Sequence, residues 1–326
     1  MAKAIRVHEV GGPEVLRWEE VDVPAPGAGE VQLRHTAIGL NFIDTYFRTG
    51  LYPAPLPLVL GQEAAGVILA VGSGVEDLAV GDRVAYGTGP LGAYAEVRNL
   101  PAQHVVKVPA AVDDKVAAAV MLKGMTAHYL LEMGGLIGSD RAPIVLVHAA
   151  AGGVGLLLAQ WAKHAGATVI GTAGDEAKAQ LARDHGCDHV ILYRSEDVAA
   201  RVKELTGGAR CDVVYDSVGK DMFEASLASL RPRGLFVSFG NSSGAVPAFE
   251  PKVLAANGSL FFTRPRLNDY AASADEIRRR AGDLFGSIAS GILKVRVAQT
   301  YALAEATQAQ RDLEGRKTTG STVLLP

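Results

Sequence analysis

A glycine-rich segment offers the clearest chemistry in this chain. It reads HAAAGGVGLLLAQ over residues 148–160, and the spacing G-x-G-x-x-G falls on Ala150, Gly152 and Gly155. In dinucleotide-binding turns, the middle glycine lets the backbone approach a pyrophosphate and the last lets the following helix pack closely on its sheet. The N-terminus of that helix offers unpaired N–H groups to phosphate. The segment therefore predicts a dinucleotide site, although a turn of small residues needed only for packing would look similar.

The next apolar run ends in residues that bear on which nicotinamide dinucleotide binds. Gly171-Thr172-Ala173-Gly174 is a series of small residues that leaves room for a 2′-phosphate, and Lys178 could neutralise that group. Asp175 favours the opposite interpretation, because a carboxylate there could hold ribose hydroxyls as in NAD sites. Lys178 could also be an ordinary solvated helix residue. The sequence favours NADPH over NADH.

The surrounding elements alternate in a way that can position such a site. From about residue 125, apolar runs ending at His148, Ala173, Tyr193, Gly219 and Gly240 alternate with amphipathic segments typical of helices. Alternating strands and helices predict a doubly wound parallel sheet. The residues at the strand ends are then expected at one edge of the sheet, where ligands of such folds lie.

The rest of the chain has a different pattern. Residues 1–125 contain short runs typical of strands (Ala2–Val7, Glu30–Thr36, Ala65–Val71, Arg83–Tyr86 and Ala93–Val97) with Gly and Pro turns between them. In the tail, Ala274–Gly291 and part of Thr300–Glu314 suit helices, and STVLLP suits a final strand. The sequence thus predicts an α/β protein with a mainly-β domain (1–125), a doubly wound domain (126–263) and a C-terminal segment (264–326) that returns to the first domain.

Composition narrows the function classes. The 326 residues are 48% hydrophobic with a net charge of −3, and no run of Lys and Arg stands out. Nucleic acid and membrane partners are therefore not expected, and no apolar stretch reaches the roughly 18 residues of a membrane helix. Two cysteines do not make a disulfide framework, so a cytoplasmic location is expected.

Several further motifs, spread nearly end to end, resemble one family. They include GLNFIDTYFRTGLYP (39–53), GQEAAG (61–66), LKGMTAHYLL (122–131), VVYDSVG (213–219) and SFGNSSG (238–244). The chain resembles the zeta-crystallin-like quinone oxidoreductases, a zinc-independent branch of the medium-chain dehydrogenase/reductase superfamily. This resemblance implies a GroES-like catalytic domain holding both chain ends, a Rossmann domain that binds NADPH, and a homodimer.

Zinc-dependent members of that superfamily use a Cys in the first loop and a later His-Glu pair. Here the corresponding positions fall near Asn41 and on Gln62-Glu63, which lack the thiolate and imidazole that zinc prefers. No metal is therefore expected. A quinone or an enone is already electron-poor, so hydride can reach it if the site aligns the rings and donates hydrogen bonds to the developing oxyanion.

The resemblance also implies residue roles. Asn41, Tyr46 and Tyr52 are the candidate catalytic residues: Asn41 could hold the nicotinamide or the acceptor oxygen, and the tyrosines could flank a flat acceptor or simply be core aromatics. Asp44 could anchor their loop. The implied cofactor contacts, beside Gly152 and Gly155, are Asn41, Thr126, Gly153, Val154, Gly174, Lys178, Tyr193, Ser217, Phe239, Gly240, Asn241, Thr263, Arg264 and Arg316.

Three functions stay open at this point. The first is NADPH-dependent reduction of a quinone, and the second is reduction of an α,β-unsaturated carbonyl by the same cofactor. Both need ring alignment without metal, so the residues do not separate them. The third is a non-catalytic, crystallin-like nucleotide-binding role. The residues leave open the physiological acceptor, the proton donor and whether one or two electrons are transferred.

Overall fold

The computed structural model describes residues 2–136 and 142–326, which form two compact units. The first unit comprises Met1–Met125, Tyr270–Gly291 and Val295–Pro326. The second comprises Thr126–Asp269 and Ile292–Lys294. Most of the C-terminal part thus belongs with the N-terminal part, and it enters the first unit at Tyr270, a little later than the limit placed at residue 264.

The elements are numbered along the described residues. The strands are β1 (Ala2–Val7), β2 (Leu16–Val21), β3 (Glu30–Leu40), β4 (Leu58–Val59), β5 (Glu63–Val71), β6 (Arg83–Tyr86), β7 (Val97–Pro101), β8 (Val106–Lys107), β9 (Ile144–Val147), β10 (Thr168–Ala173), β11 (His189–Leu192), β12 (Cys211–Asp216), β13 (Leu230–Ser238), β14 (Phe261–Thr263), β15 (Val297–Ala302) and β16 (Ser321–Leu325). The α-helices are α1 (Phe42–Arg48), α2 (Asp114–Met133), α3 (Gly153–His164), α4 (Glu176–Asp184), α5 (Val198–Leu205), α6 (Phe223–Ser229), α7 (Lys252–Ala256), α8 (Leu267–Tyr270), α9 (Ala274–Ala289) and α10 (Ala306–Glu314).

The first unit is built on a sheet of order β15-β16-β3-β5-β6-β8, with β7 also paired to β3. A smaller sheet has the order β2-β1-β4. The core contains fully buried side chains from the long strands, among them Leu33, Ile38, Ile68, Tyr86 and Leu324. The last strand, β16, lies antiparallel to the end of β3, where Thr322 pairs with Leu40. The helix α1, whose N-cap is Asn41, therefore leaves the sheet beside the C-terminal strand.

One local expectation for this unit was wrong. The strand predicted at Ala93–Val97 begins at Val97, and Ala95 forms only an isolated bridge with Ala4. The segment Thr300–Glu314, predicted to be partly helical, begins in β15 and contains the helix α10. The twenty-residue helix α2 was missed because it is buried on almost all sides, which removes the polar face that a periodicity argument needs. No described helix, α2 included, is long and apolar enough to cross a membrane.

The second unit is a parallel sheet of order β11-β10-β9-β12-β13-β14. Counted from β9, this is the order 3-2-1-4-5-6 of the Rossmann fold, which confirms the doubly wound prediction. The order reverses between β9 and β12, and ligands of open α/β sheets bind outside the carboxyl ends at such a point. β13 starts at Leu230, earlier than predicted, with a register shift against β12.

Candidate functional site

The loop between β9 and α3 has the local geometry of a phosphate-binding turn. Gly152 is the N-cap of α3, so Gly153 and Val154 form its first turn. A Cβ on Gly155 would lie 2.4 Å from the carbonyl oxygen of Ala149 and 2.8 Å from Cα of Ala150. Only glycine allows the helix to start this close to the loop. The cradle fits the pyrophosphate of a dinucleotide, because the N–H groups of the first helical turn need an acceptor.

A buried polar network supports this loop from beneath. The imidazole of His148 lies 3.1 Å from Thr172 Oγ1 and 3.0 Å from Ser226 Oγ. Burial lowers the pKa of His148, which favours the neutral ring. Thr172 Oγ1 also accepts the N–H of Ala149, which is held at a positive φ of 51°. The network therefore fixes an unfavourable backbone conformation at the start of the turn.

The end of β10 forms the second part of the site. Asp175 caps α4 by accepting the N–H of Lys178 at 2.9 Å, so its carboxylate stabilises the helix start. A Cβ on Gly174 would lie 2.9 Å from Tyr193 Oη and 3.4 Å from Arg194 Nε. Tyr193 and the basic Arg194 therefore border Gly174, and Lys178 lies in the first turn of α4. The sequence interpretation named Lys178 and missed Arg194. The only indication of Arg194 in the sequence was its place directly after Tyr193, at the end of the third apolar run.

The loops after β12 and β13 touch each other at the same carboxyl edge. A Cβ on Gly240 would lie 2.4 Å from the carbonyl oxygen of Ser217. Phe239 N–H donates to the carbonyl of Asp216 at 2.8 Å, and Arg264 donates to that of Ser238 at 3.0 Å. The structure thus brings together part of the predicted set, namely Ser217, Phe239, Gly240, Asn241, Thr263 and Arg264.

Two predicted cofactor residues belong to other parts of the fold. Thr126 is buried within α2. Arg316 is exposed in a left-handed turn after α10, in the first unit, with φ of 57°. Both positions lie outside the loops after β9, β10, β12 and β13, and their cofactor roles stay predictions.

In the first unit, Asn41 is the N-cap of α1 and Asp44 is part of the same turn. Asp44 Oδ2 accepts the N–H of Asn41 at 2.9 Å and the hydroxyl of Tyr94 at 2.8 Å. Burial raises the pKa of the Asp44 carboxyl to about 7, and its Oδ1 has no hydrogen-bond partner among the described residues. Asp44 therefore acts as an anchor that ties the start of α1 to the segment around Tyr94.

The Asn41 side chain contacts a buried ion pair that the sequence interpretation overlooked. Asn41 Nδ2 donates to Glu63 Oε1 at 2.8 Å, and the ammonium of Lys123 donates to the same oxygen. The N–H of Leu122 donates to Glu63 Oε2 at 2.7 Å. Both carboxylate oxygens are therefore occupied, in a side chain that is fully buried.

These residues do not suit zinc. Asn41 and Gln62, which the resemblance places near the superfamily's metal-ligand positions, lack a thiolate and an imidazole, and an ammonium lies against Glu63, where a divalent cation would meet a like charge. Among residues 2–136 and 142–326, no group of three His, Cys, Asp or Glu side chains is arranged to hold a metal ion.

Tyr46 and Tyr52 form an aromatic group with Phe42 and Phe47. The rings of Tyr46 and Tyr52 meet edge to face with centroids 5.3 Å apart, and Tyr52 meets Phe47 at 5.7 Å. The N–H of Tyr52 donates to the carbonyl of Tyr46 at 3.0 Å, which holds the turn after α1 against the helix. Tyr46 is buried, whereas Tyr52 is partly exposed. Of the two, Tyr52 is the better placed to meet a flat ligand.

Comparison with known proteins agrees with this geometry. Residues 27–110 match the family model of the alcohol dehydrogenase GroES-like domain, and residues 153–278 match the model described as zinc-binding dehydrogenase. A quinone oxidoreductase of Pseudomonas aeruginosa is 52% identical to this chain over 100% of both proteins. A 2-haloacrylate reductase of Burkholderia is 48% identical over 100% of this chain and 99% of its own length. The crystal structure of Escherichia coli quinone oxidoreductase complexed with NADPH is 49% identical, with a TM-score of 0.96 over 100% of both chains. The chain therefore belongs to the quinone oxidoreductases of the medium-chain dehydrogenase/reductase superfamily, as its motifs predicted.

Proposed function

We propose that this protein is an NADPH:quinone oxidoreductase that transfers hydride from NADPH to a quinone without a metal ion. The observation that carries the proposal is the phosphate cradle at Gly152–Gly155, together with the basic residues that border Gly174. Its relatives support the acceptor class, since quinone oxidoreductases match the chain at about half identity over their full length.

Each part of the site has a defined task in this reaction. The bound cofactor supplies the hydride. The first turn of α3 binds the pyrophosphate, and Lys178 and Arg194 bind the 2′-phosphate. The loops at Ser217 and Phe239–Asn241 line the rest of the cofactor site. Tyr52 offers a flat apolar face to the acceptor and a phenolic donor to the oxygen that gains negative charge.

We expect NADPH to bind more tightly than NADH, and Lys178→Ala to weaken NADPH binding far more than NADH binding. The physical reason is the loss of a charge-assisted hydrogen bond to the 2′-phosphate, worth about 1.5–3 kcal/mol, or roughly a ten- to hundredfold change in Kd. Fluorescence titration of both cofactors measures it. Arg183→Ala is the matched control, because Arg183 lies on the same helix but pairs with Glu176. Equal losses for NADPH and NADH would contradict a 2′-phosphate contact.

We expect Tyr52→Phe to lower kcat with quinone about tenfold or more, while the Kd of NADPH changes little, because the donor to the acceptor oxyanion is removed. Steady-state kinetics and a cofactor titration test this. Tyr301→Phe serves as control, since the Tyr301 hydroxyl donates to Asp312 in a partly exposed pair of the first unit. If Tyr52→Phe lowers only the melting temperature, the ring is a core aromatic and the hydroxyl has no catalytic role.

A second candidate function is the reduction of an α,β-unsaturated acid or carbonyl. It is favoured by one observation, the 48% identity with a 2-haloacrylate reductase. A turnover assay with a panel of quinones, alkenals and haloacrylates separates the two, and turnover of none of them would favour a non-catalytic nucleotide-binding role.

We further propose a homodimer formed through the edge of the second unit's sheet. β14 is one of the two edge strands of the described sheet, and its Phe261 is 62% exposed. An exposed aromatic on an unpaired strand edge favours pairing with a second copy. Light scattering of the purified protein tests this, and a monomeric mass at micromolar concentration would refute it.

A further inference from the structure

The buried pair Lys123–Glu63 lies outside every role assigned above, yet it touches a candidate catalytic side chain. Glu63 is fully buried, and Lys123 is 6% exposed. A buried carboxylate needs a compensating charge and hydrogen bonds. Glu63 has both, from the ammonium of Lys123, the amide of Asn41 and the N–H of Leu122.

This arrangement determines which end of the Asn41 amide faces the carboxylate. A carboxylate paired with an ammonium only accepts hydrogen bonds, so the NH₂ end of Asn41 must face Glu63. The second hydrogen on Nδ2 is directed toward the carbonyl of Gly39, at a longer 3.4 Å. Both amide hydrogens are thus committed within the protein. The carbonyl oxygen Oδ1 is the end that faces away from Glu63, and a carbonyl oxygen has two lone pairs to offer.

We propose that the Lys123–Glu63 ion pair is a positioning device that presents Asn41 to the bound reactants as a hydrogen-bond acceptor. The proposal rests on the NADPH-dependent reduction proposed above. The matching group on a reactant is an N–H or O–H donor, either the carboxamide of the nicotinamide or the hydroxyl of a reduced acceptor. It is not the carbonyl oxygen of a quinone, which would need a donor. Of the two roles that the sequence suggested for Asn41, this polarity excludes the contact with the acceptor's carbonyl oxygen.

A charge-exchange pair of variants tests the polarity. Asn41→Asp alone places two carboxylates side by side, and Glu63→Gln alone leaves the Lys123 ammonium without its counter-charge. We expect each to lower kcat/KM at least about tenfold. The double variant Asn41→Asp/Glu63→Gln keeps one carboxylate as the counter-charge of Lys123, now at position 41. The amide introduced at position 63 accepts from Leu122 N–H and donates to that carboxylate, whose outer oxygen still accepts. We expect it to recover to within about threefold of the parent. If the kcat/KM of the double variant is no higher than that of the less active single variant, the proposal is overturned.

A neutral pair separates positioning from mere stability. In Lys123→Met/Glu63→Gln both charges are gone, which usually leaves stability nearly unchanged. Because the N–H of Leu122 still needs an acceptor, the amide introduced at position 63 turns its oxygen to Leu122 and its NH₂ to Asn41, so the Asn41 amide must reverse and present its own NH₂ to the reactants. We expect a melting temperature close to the parent's and a loss of at least about tenfold in cofactor affinity or kcat/KM. A neutral double variant with parental melting temperature and full activity would show that the pair is structural only.

The same variants identify which reactant contacts Asn41. A rise in the Kd of NADPH, measured without acceptor, assigns the contact to the carboxamide. An unchanged Kd with a lower kcat or a higher KM for quinone assigns it to the reduced acceptor. Because the Kd is measured without turnover, it tests the role of the pair even in a parent protein that binds NADPH but reduces no acceptor, a result that would refute the proposed function alone.

Discussion

Gly155→Ala should abolish most of the affinity for NADPH, with Kd rising at least about a hundredfold, or roughly 3 kcal/mol. The added Cβ would stand 2.4 Å from the carbonyl oxygen of Ala149, which is backbone and cannot rotate away. The start of α3 must then move off the loop, and its N–H groups lose their alignment with the pyrophosphate. Fluorescence titration of NADPH gives the affinity, and circular dichroism shows whether the second unit still folds.

The control for this substitution is another glycine within a helix. Gly282 lies in α9 of the first unit, and a Cβ there meets nothing within 4 Å. Gly282→Ala should leave NADPH binding unchanged and stabilise the helix by up to about 1 kcal/mol, since alanine is the better helix former. A folded Gly155→Ala protein with parental affinity would mean that the close approach of helix and loop does not serve the cofactor.

Arg48→Met should destabilise the first unit by about 3 kcal/mol, which corresponds to a fall of roughly 5–10 °C in the melting temperature. The guanidinium is only 1% exposed and donates to the carbonyl of Gly11, to Gln310 and, in a bidentate pair, to Glu314. Its loss leaves polar groups buried without a donor. The expected loss of stability is at the low end of the range for breaking a buried ion pair, because Glu314 keeps a third of its side-chain surface in water.

Thermal unfolding of three variants tests the Arg48 prediction. Arg48→Lys keeps the charge but not the planar fork, so it should recover only part of the loss. Arg278→Met removes one partner of surface pairs with Asp77 and Asp275, and it should change the melting temperature by a degree or less. Equal effects at Arg48 and Arg278 would show that burial of the Arg48 network adds nothing to stability.

The parts of the fold that the sequence predicted well are those with local signals. The strands and helices of the second unit alternate between apolar runs and capped amphipathic segments, and this alternation is typical of a parallel sheet with right-handed connections. The helix α2 has no such signal, because a helix buried all round shows no periodicity. Ala93–Val97 has the alternation of a strand, but its backbone groups bond to separate segments, Tyr94 N–H to Leu60 and the Tyr94 carbonyl to Ile5.

The candidate site also has one part that a local sequence pattern predicts and one part that depends on contacts distant in sequence. The cradle at Gly152–Gly155 lies within one short segment, so its spacing could be recognised from the sequence. The contacts of Glu63 with Asn41 and Lys123 join residues 22 and 60 positions apart, and no local pattern brings these three together. Arg194 was missed for a related reason, because only its position next to Gly174 in space makes it a candidate phosphate-binding residue.

The place of β16 in the first unit has a consequence for a chain that is still being synthesised. The strands β9 to β14 of the second unit have all been made once Thr263 is added, so that sheet can close early. The end of β3 acquires its partner only when Thr322–Leu324 emerges, several seconds later at about 5–20 residues per second. Until then Ile38–Leu40 is an open strand edge, directly before Asn41. The nascent protein is therefore expected to acquire a folded nucleotide-binding unit first, and to complete the segment that carries its candidate catalytic residues last.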